Sequence, residues 1–287
     1  MVGMGAGAGL VADATAATRP AAAPHSQARG PPVTRVPRRR RKGMPHARWV
    51  GLAVASLVPV IASAQTVDEI VAKHLAARGG AGKIAAIGSL RMTAKARAEG
   101  GREAVVVREV KRPDRIRVEF TVQGVTGVYA YDGERGWRVS PFDGDMEPEP
   151  MTAEGTRSAI EWSDIGGPLV DGKAKGHRVE LAGRESLEGR GAWKLKVTLK
   201  NGDVRYIYLD AQSFLHVRTE AARNVAGHPI ETETTFGDYR ETAGVLFPHA
   251  IEIGVKGRPS RLRILVQTVE VNPVLDDARF RMPDTPR

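Results

Sequence analysis

Cysteine is absent from the 287 residues, so thiol catalysis, disulfides and cysteine metal ligands are all excluded. The histidines beyond residue 65 (His74, His177, His216, His228 and His249) are scattered, and no two share metal-ligand spacing on one element. His74 continues the apolar stripe of a predicted helix and reads as a half-buried core residue. No serine stands in a nucleophile-elbow motif. The glycines at positions 3, 5, 7 and 9 follow no strand, so they make no dinucleotide loop. Gly82-Lys83 has Ala77 where a phosphate loop needs its first glycine, and Ile84 where a hydroxyl should hold magnesium. Carboxylates are numerous, but nothing singles out a catalytic pair. The chain therefore reads as a non-enzyme with no metal and no cofactor.

The formal charge of +10 is unevenly placed. Residues 1–64 hold nine of the 43 basic side chains and one acid, Asp13, which leaves a net of only +2 on residues 65–287. The folded part thus offers no basic face of the kind nucleic-acid binding needs. Trp49 to Ile61 is an apolar run, preceded by positive charge and followed by Ala62-Ser63-Ala64. That is the pattern of a secretory signal peptide, with cleavage expected after Ala64. The run is shorter than the roughly 20 apolar residues of a membrane span, and it contains Pro59. Residues 44–64 are read as the signal. Residues 1–43, rich in Ala, Gly, Pro and Arg, are read as an unstructured extension or as lying upstream of the true start at Met44. Arg38–Lys42 could serve as a twin-arginine export signal or a nucleic-acid tail, but its place before the apolar run favours export.

The elements of residues 65–287 follow from periodicity. Thr66 and Glu69 make a capping box, and Val67, Ile70, Val71, His74 and Leu75 follow at helical spacing until Gly79-Gly80. A second short helix is predicted from Gly82 to Ile87. From Ser89 the period becomes 2. Ile116, Val118, Phe120 and Val122 alternate with polar residues, and so do Trp193, Leu195, Val197 and Leu199, the antiparallel habit of one wet and one apolar face. Asn201-Gly202 predicts a two-residue type I′ turn, which would put Leu195, Val197, Leu199, Val204, Tyr206 and Tyr208 on one face. Further strands are predicted near 89–98, 103–110, 125–131, 135–140, 177–182, 214–222, 229–238, 246–254 and 260–271. Residues 143–176 interrupt them, with a helix expected from Thr152 to Asp164, and a long insertion of this kind suits a lid. Residues 65–287 read as one domain. Its apolar face could take an acyl chain, at about 0.8 kcal/mol per buried methylene. It could equally be filled by the protein's own side chains.

Val110-Lys111-Arg112-Pro113-Asp114 before a strand, then Tyr131-Asp132-Gly133-Glu134-Arg135-Gly136-Trp137 and Pro141, resembles the LolA family of periplasmic lipoprotein carriers. Gly237-Asp238-Tyr239-Arg240 leading to Gly244 and Phe247-Pro248, and the closing Phe280-Arg281-Met282-Pro283, resemble the wider group of outer-membrane lipoprotein-sorting proteins. The likeness spans most of residues 66–284. It implies a mainly β (α+β) fold, a curved antiparallel sheet forming an incomplete β-barrel covered by helices. It also implies a periplasmic, monomeric carrier or chaperone of acylated lipoproteins or lipids, loaded and unloaded by transient membrane-associated partners in a Gram-negative-type envelope. Arg112 stands where the family's arginine holds the helical lid. Ligand-binding positions are then Ile116, Val118, Phe120, Trp193, Leu195, Val197, Tyr206 and Tyr208. The sequence departs from the family in lacking an aromatic residue at the expected point of the strand Arg115–Val122, and in its greater length. An envelope-stress sensor or protein-interaction module of the RseB type, with a filled core and no cargo, would show the same features.

Overall fold

The computed structural model describes residues 65–98, 100–225 and 228–283, so the expected leader and extension (1–64) lie outside the described residues. Helix α1 (Val67–Ala77) opens on the expected capping box, Thr66 Oγ1 accepting from Glu69 N at 3.2 Å and Glu69 Oε2 from Thr66 N at 3.0 Å. Gly79 ends it where a Cβ would lie 2.0 Å from the Gly244 carbonyl oxygen, so the helix reaches the sheet only because a glycine stands there. Helix α2 (Ala81–Ala85) follows at once.

The strands are β1 (Ser89–Ala98), β2 (Glu103–Lys111), β3 (Arg115–Val122), β4 (Val125–Tyr131), β5 (Gly136–Ser140) and β6 (Asp145–Pro150). Helix α3 (Ala153–Ser163) then precedes β7 (Arg178–Leu187), β8 (Arg190–Thr198), β9 (Val204–Asp210), β10 (His216–Val225), β11 (His228–Thr242), β12 (Val245–Val255) and β13 (Arg261–Val271). All thirteen form one antiparallel sheet in the order β6-β5-β4-β3-β2-β1-β13-β12-β11-β10-β9-β8-β7. Each strand pairs with its neighbours in sequence, except that β6 and β7 form the two edges and β1 pairs with β13. The sheet does not close. Edge strand β6 carries Pro148 and Pro150 among three acids, and edge strand β7 is bulged between Leu181 and Gly183. Prolines, charges and bulges all discourage a further strand from adding to an edge. The acidic, proline-rich start of the insertion is thus an edge strand, a part of the sheet its composition does not suggest.

The outer face is mostly charged, with one strap across it. The 3₁₀ turn Asp277–Phe280 lays Phe280 beside Trp137, whose indole donates to the Phe280 carbonyl at 2.7 Å; both side chains are buried. Beside them Glu109, only 2% exposed, is held between Arg91 (2.9 Å) and Arg279 (2.7 Å). Lys111 reaches the same turn through Asp277 at 2.7 Å and the Leu275 carbonyl at 2.8 Å. The tryptophan of the Asp-Gly turn, the lysine of the Lys-Arg-Pro triplet and the closing Phe-Arg-Met-Pro therefore meet in one place.

Trp137→Ala is expected to lower stability by about 3–5 kcal/mol, as large-to-small changes at buried aromatics do. Leu265→Ser, at a 58% exposed position, should change it by no more than about 0.5 kcal/mol. Urea denaturation of both variants checks this, and equal losses would mean that the strap is not a core.

Candidate apolar groove

Cross-strand register defines the inner face, because directly opposed residues share a side of the sheet. Gly127 opposes Phe120, Phe120 opposes Val106, and Val106 opposes Ala94. Ala96 opposes both Ala104 and Ile264, and Ile264 opposes Ile251. Ile251 opposes Phe236, Thr234 opposes Thr219, and Thr219 opposes Ile207, which opposes Leu195. One face thus runs from β4 to β8, apolar except where Thr234 meets Thr219.

The helices cover one half of it. Ile70 of α1 packs with Leu195, Val197, Ile207, Leu209 and Leu169. Ile84 of α2 and Ala159 of α3 pack with Leu90, Val110, Ile116, Val118, Tyr131 and Phe247, and Trp162 lies against the same cluster. Four arginines pin these covers down, three of them through backbone carbonyls. Arg112 donates to the carbonyls of Ile87 (2.7 Å) and Ile84 (3.3 Å) at the end of α2. Arg78 donates to the Gly166 carbonyl (2.9 Å) just beyond α3. Arg108 donates to the Trp162 carbonyl in the last turn of α3. Arg205, buried on the inner face, grips Glu161 with two bonds of 3.0 and 2.8 Å. The fixed fork of the guanidinium suits each of these tasks.

Among the described residues the other half carries no α-helix. It is lined by Ala96, Ala98, Ala104, Val106, Val122, Ile253, Leu262 and Ile264, which form a small cluster of their own. Phe120, Val122, Val106, Ile251, Ile253 and Ile264 are only half-buried. The Phe120 ring lies over Gly127, where a Cβ would sit 2.3 Å from it, and stacks on Phe142 with centroids 5.5 Å apart. A cleft of about 420 Å³ beside Arg97, Arg261 and Arg263 touches this surface at Ala98, and a polar one of about 430 Å³ lies away from it beside Asp114, Asp132 and Asp277. Among the described residues no three His, Asp or Glu side chains come together as a metal set.

The structure distributes the sequence-predicted positions unevenly. Phe120 faces the uncovered half. Ile116, Val118, Leu195 and Val197 face inward but are at most 5% exposed beneath the helices. Trp193 is half-buried against the α1 cluster. Tyr206 and Tyr208 require a correction, because they stand on the outer face, where Lys194 covers their rings at 4.8 and 5.2 Å. The turn is the reason. Gly202 N bonds the Leu199 carbonyl at 2.9 Å and Gly202 alone has positive φ, so the loop is a type I turn followed by a glycine bulge. Asn201 instead accepts from Asp203 N at 3.0 Å. The extra residue shifts the pairing by one, so that Val197 opposes Arg205 and Leu195 opposes Ile207. The same shift brings Arg205 inward.

Comparison by sequence alone finds no matching family model and no matching curated protein. The fold does match solved structures. A LolA superfamily protein from Nitrosomonas europaea aligns over 76% of this chain and 98% of its own, at 13% identity and a TM-score of 0.51. A DUF1329 family protein from Desulfovibrio piger aligns over the same shares at 11% identity and a TM-score of 0.53. The incomplete barrel is thus the LolA-type fold.

His74, buried, and His216, half-buried, stand beside the helix cover and make a pH prediction. His74 Nδ1 donates to the Phe214 carbonyl at 2.8 Å, and burial, with a smaller contribution from Arg78, pulls its pKa down to about 4. Burial pulls His216 down to about 3, with His74 and Arg78 adding to the effect. Both are neutral in the folded state and titrate near 6.5 once unfolded. Their contribution is complete above pH about 6.5 and is lost as pH falls towards 4, by up to about 1.4 kcal/mol per unit for each. Urea midpoints should drop between pH 7 and pH 5 in the parent chain, and less steeply in His74→Gln. Parallel pH profiles in the two proteins would contradict the assignment.

Proposed function

We propose that this chain is a periplasmic carrier that binds the acyl chains of lipoproteins or lipids, serving outer-membrane lipoprotein sorting without catalysing a reaction. The observation that carries the reading is the apolar inner surface continuing past the edge of its helical cover, through half-buried Val106, Phe120, Val122, Ile251, Ile253 and Ile264. A monomer does not ordinarily leave a contiguous apolar surface partly wet unless something else covers it. Each methylene moved onto it from water contributes about 0.8 kcal/mol, before the cost of association. The solved LolA superfamily protein with the same fold is consistent with such a role. In this reading Arg112 keeps α2 closed until loading. Ile116, Val118, Trp193, Leu195 and Val197 line space reached only when a helix swings away. Membrane-associated proteins would deliver and receive the cargo.

A specific observation also favours an interaction module without cargo. The helix-covered half is filled by the protein's own side chains, Leu195, Val197 and Ile116 all being 0% exposed.

Native mass spectrometry of the exported chain, purified without detergent, decides between the two readings. A carrier shows added mass matching a lipid or lipoprotein. That mass should be lost in Phe120→Asp and retained in Tyr206→Asp, which lies on the outer face. A mass that stays bare when acylated peptide is supplied would overturn the carrier reading and leave the module.

A further inference from the structure

Where the covered and uncovered halves of the inner face meet, β2 carries a charge rather than an apolar group. Its inward residues run Ala104, Val106, Arg108 and Val110, and Arg108 stands directly between Met92 on β1 and Val118 on β3. One strand further, Val118 opposes Tyr129. Among the described residues the guanidinium has two hydrogen-bond contacts: it donates to the Trp162 carbonyl at the end of α3, and it lies 3.5 Å from Met92 Sδ. Among the described residues no carboxylate forms an ion pair with it; the nearby Asp164 is held by Lys175 at 2.7 Å. Burial holds the Arg108 guanidinium below its ordinary value, with Tyr129 and Asp164 pulling the other way. Burial pushes the Tyr129 phenol far upward, so it stays a neutral hydroxyl that can donate. Trp162 lies against Tyr129 with ring centroids 5.8 Å apart, which roofs the site.

A carbonyl and a thioether are weak company for an enclosed cation. A carboxylate would match the fork with two parallel bonds, which are shorter and about twice as strong as neutral ones. From this point the half without a helix continues along β2 through half-buried Val106 to buried Ala104, about 14 Å at the rise of a strand. Phe120, Ala96 and Ile264 flank that path in register.

Resting on the acyl-chain reading above, we propose that the groove takes a fatty-acid-like amphiphile, its carboxylate on Arg108 in place of the Trp162 carbonyl and its tail on the uncovered half. The acid then competes with the last turn of α3 for one guanidinium, so binding it loosens the helix that roofs the site. Tyr129 is the second donor to the head.

The test compares the affinities of the full chain for dodecanoate and 1-dodecanol, which share a tail and differ in the head. Dodecanoate should bind at least about tenfold more tightly, the weight of one charge-assisted hydrogen bond. Arg108→Met should remove that preference, and Arg108→Lys should keep part of it. If these variants do not fold, the carboxyl resonance of bound [1-¹³C]dodecanoate in the unaltered chain decides. Paired with Arg108, it should stay ionised to at least about one pH unit below free dodecanoate. Equal affinity for acid and alcohol, or a carboxyl that titrates as in water, would overturn the head-group assignment and leave the acyl-chain reading intact. Binding of neither ligand would overturn both.

Discussion

Side chains on a β-strand alternate, so a single thirteen-stranded sheet commits half of its residues to one face, and that face must be kept from water. Every other feature of the molecule answers this constraint. The outer face meets it with charge and with one strap, where Trp137 and Phe280 are sealed beside a buried Glu109. Among the described residues the inner face meets it with three α-helices, which do not reach its whole extent. The remaining apolar surface is therefore a consequence of the architecture.

What holds the helices there is unusual in kind. Three arginines use backbone carbonyls in or just beyond the helices as anchors: Arg112 on Ile84 and Ile87, Arg78 on Gly166 and Arg108 on Trp162. A carbonyl is a weaker partner for a cation than a carboxylate, so such clasps hold a cover while leaving it exchangeable. Arg205, by contrast, is matched to Glu161 by two bonds. The cover thus has one ionic anchor and several dipolar ones, and the dipolar ones are the natural points of release.

Much of the fold was legible from periodicity. The capping box at Thr66, the strand at Ser89–Ala98 and the helix at Ala153–Ser163 all stand where spacing alone places them. The hairpin register was not legible, because Asn-Gly serves a type I′ turn and a type I turn with a glycine bulge equally well. That single ambiguity moved Tyr206 and Tyr208 across the sheet and hid Arg205. Arg108 was hidden for another reason. The run Val105-Val106-Val107 is apolar on both parities, so nothing in the pattern tells which face the next arginine joins. Arg112 stood out only because the Lys-Arg-Pro triplet resembles a known family, and its clasp on α2 follows from geometry that no sequence prints.

The central claim is that the half of the inner face beyond the helices receives an apolar chain. A nitroxide-bearing fatty acyl probe, added to the isotope-labelled chain, would map its own position by broadening nearby amide signals. The account predicts the strongest broadening at Ala96, Ala104, Phe120, Ile253 and Ile264, and none at Glu188 or Gly189, in the β7–β8 turn at the other edge of the sheet. Broadening centred elsewhere in the sheet, or none at saturating probe, would contradict it.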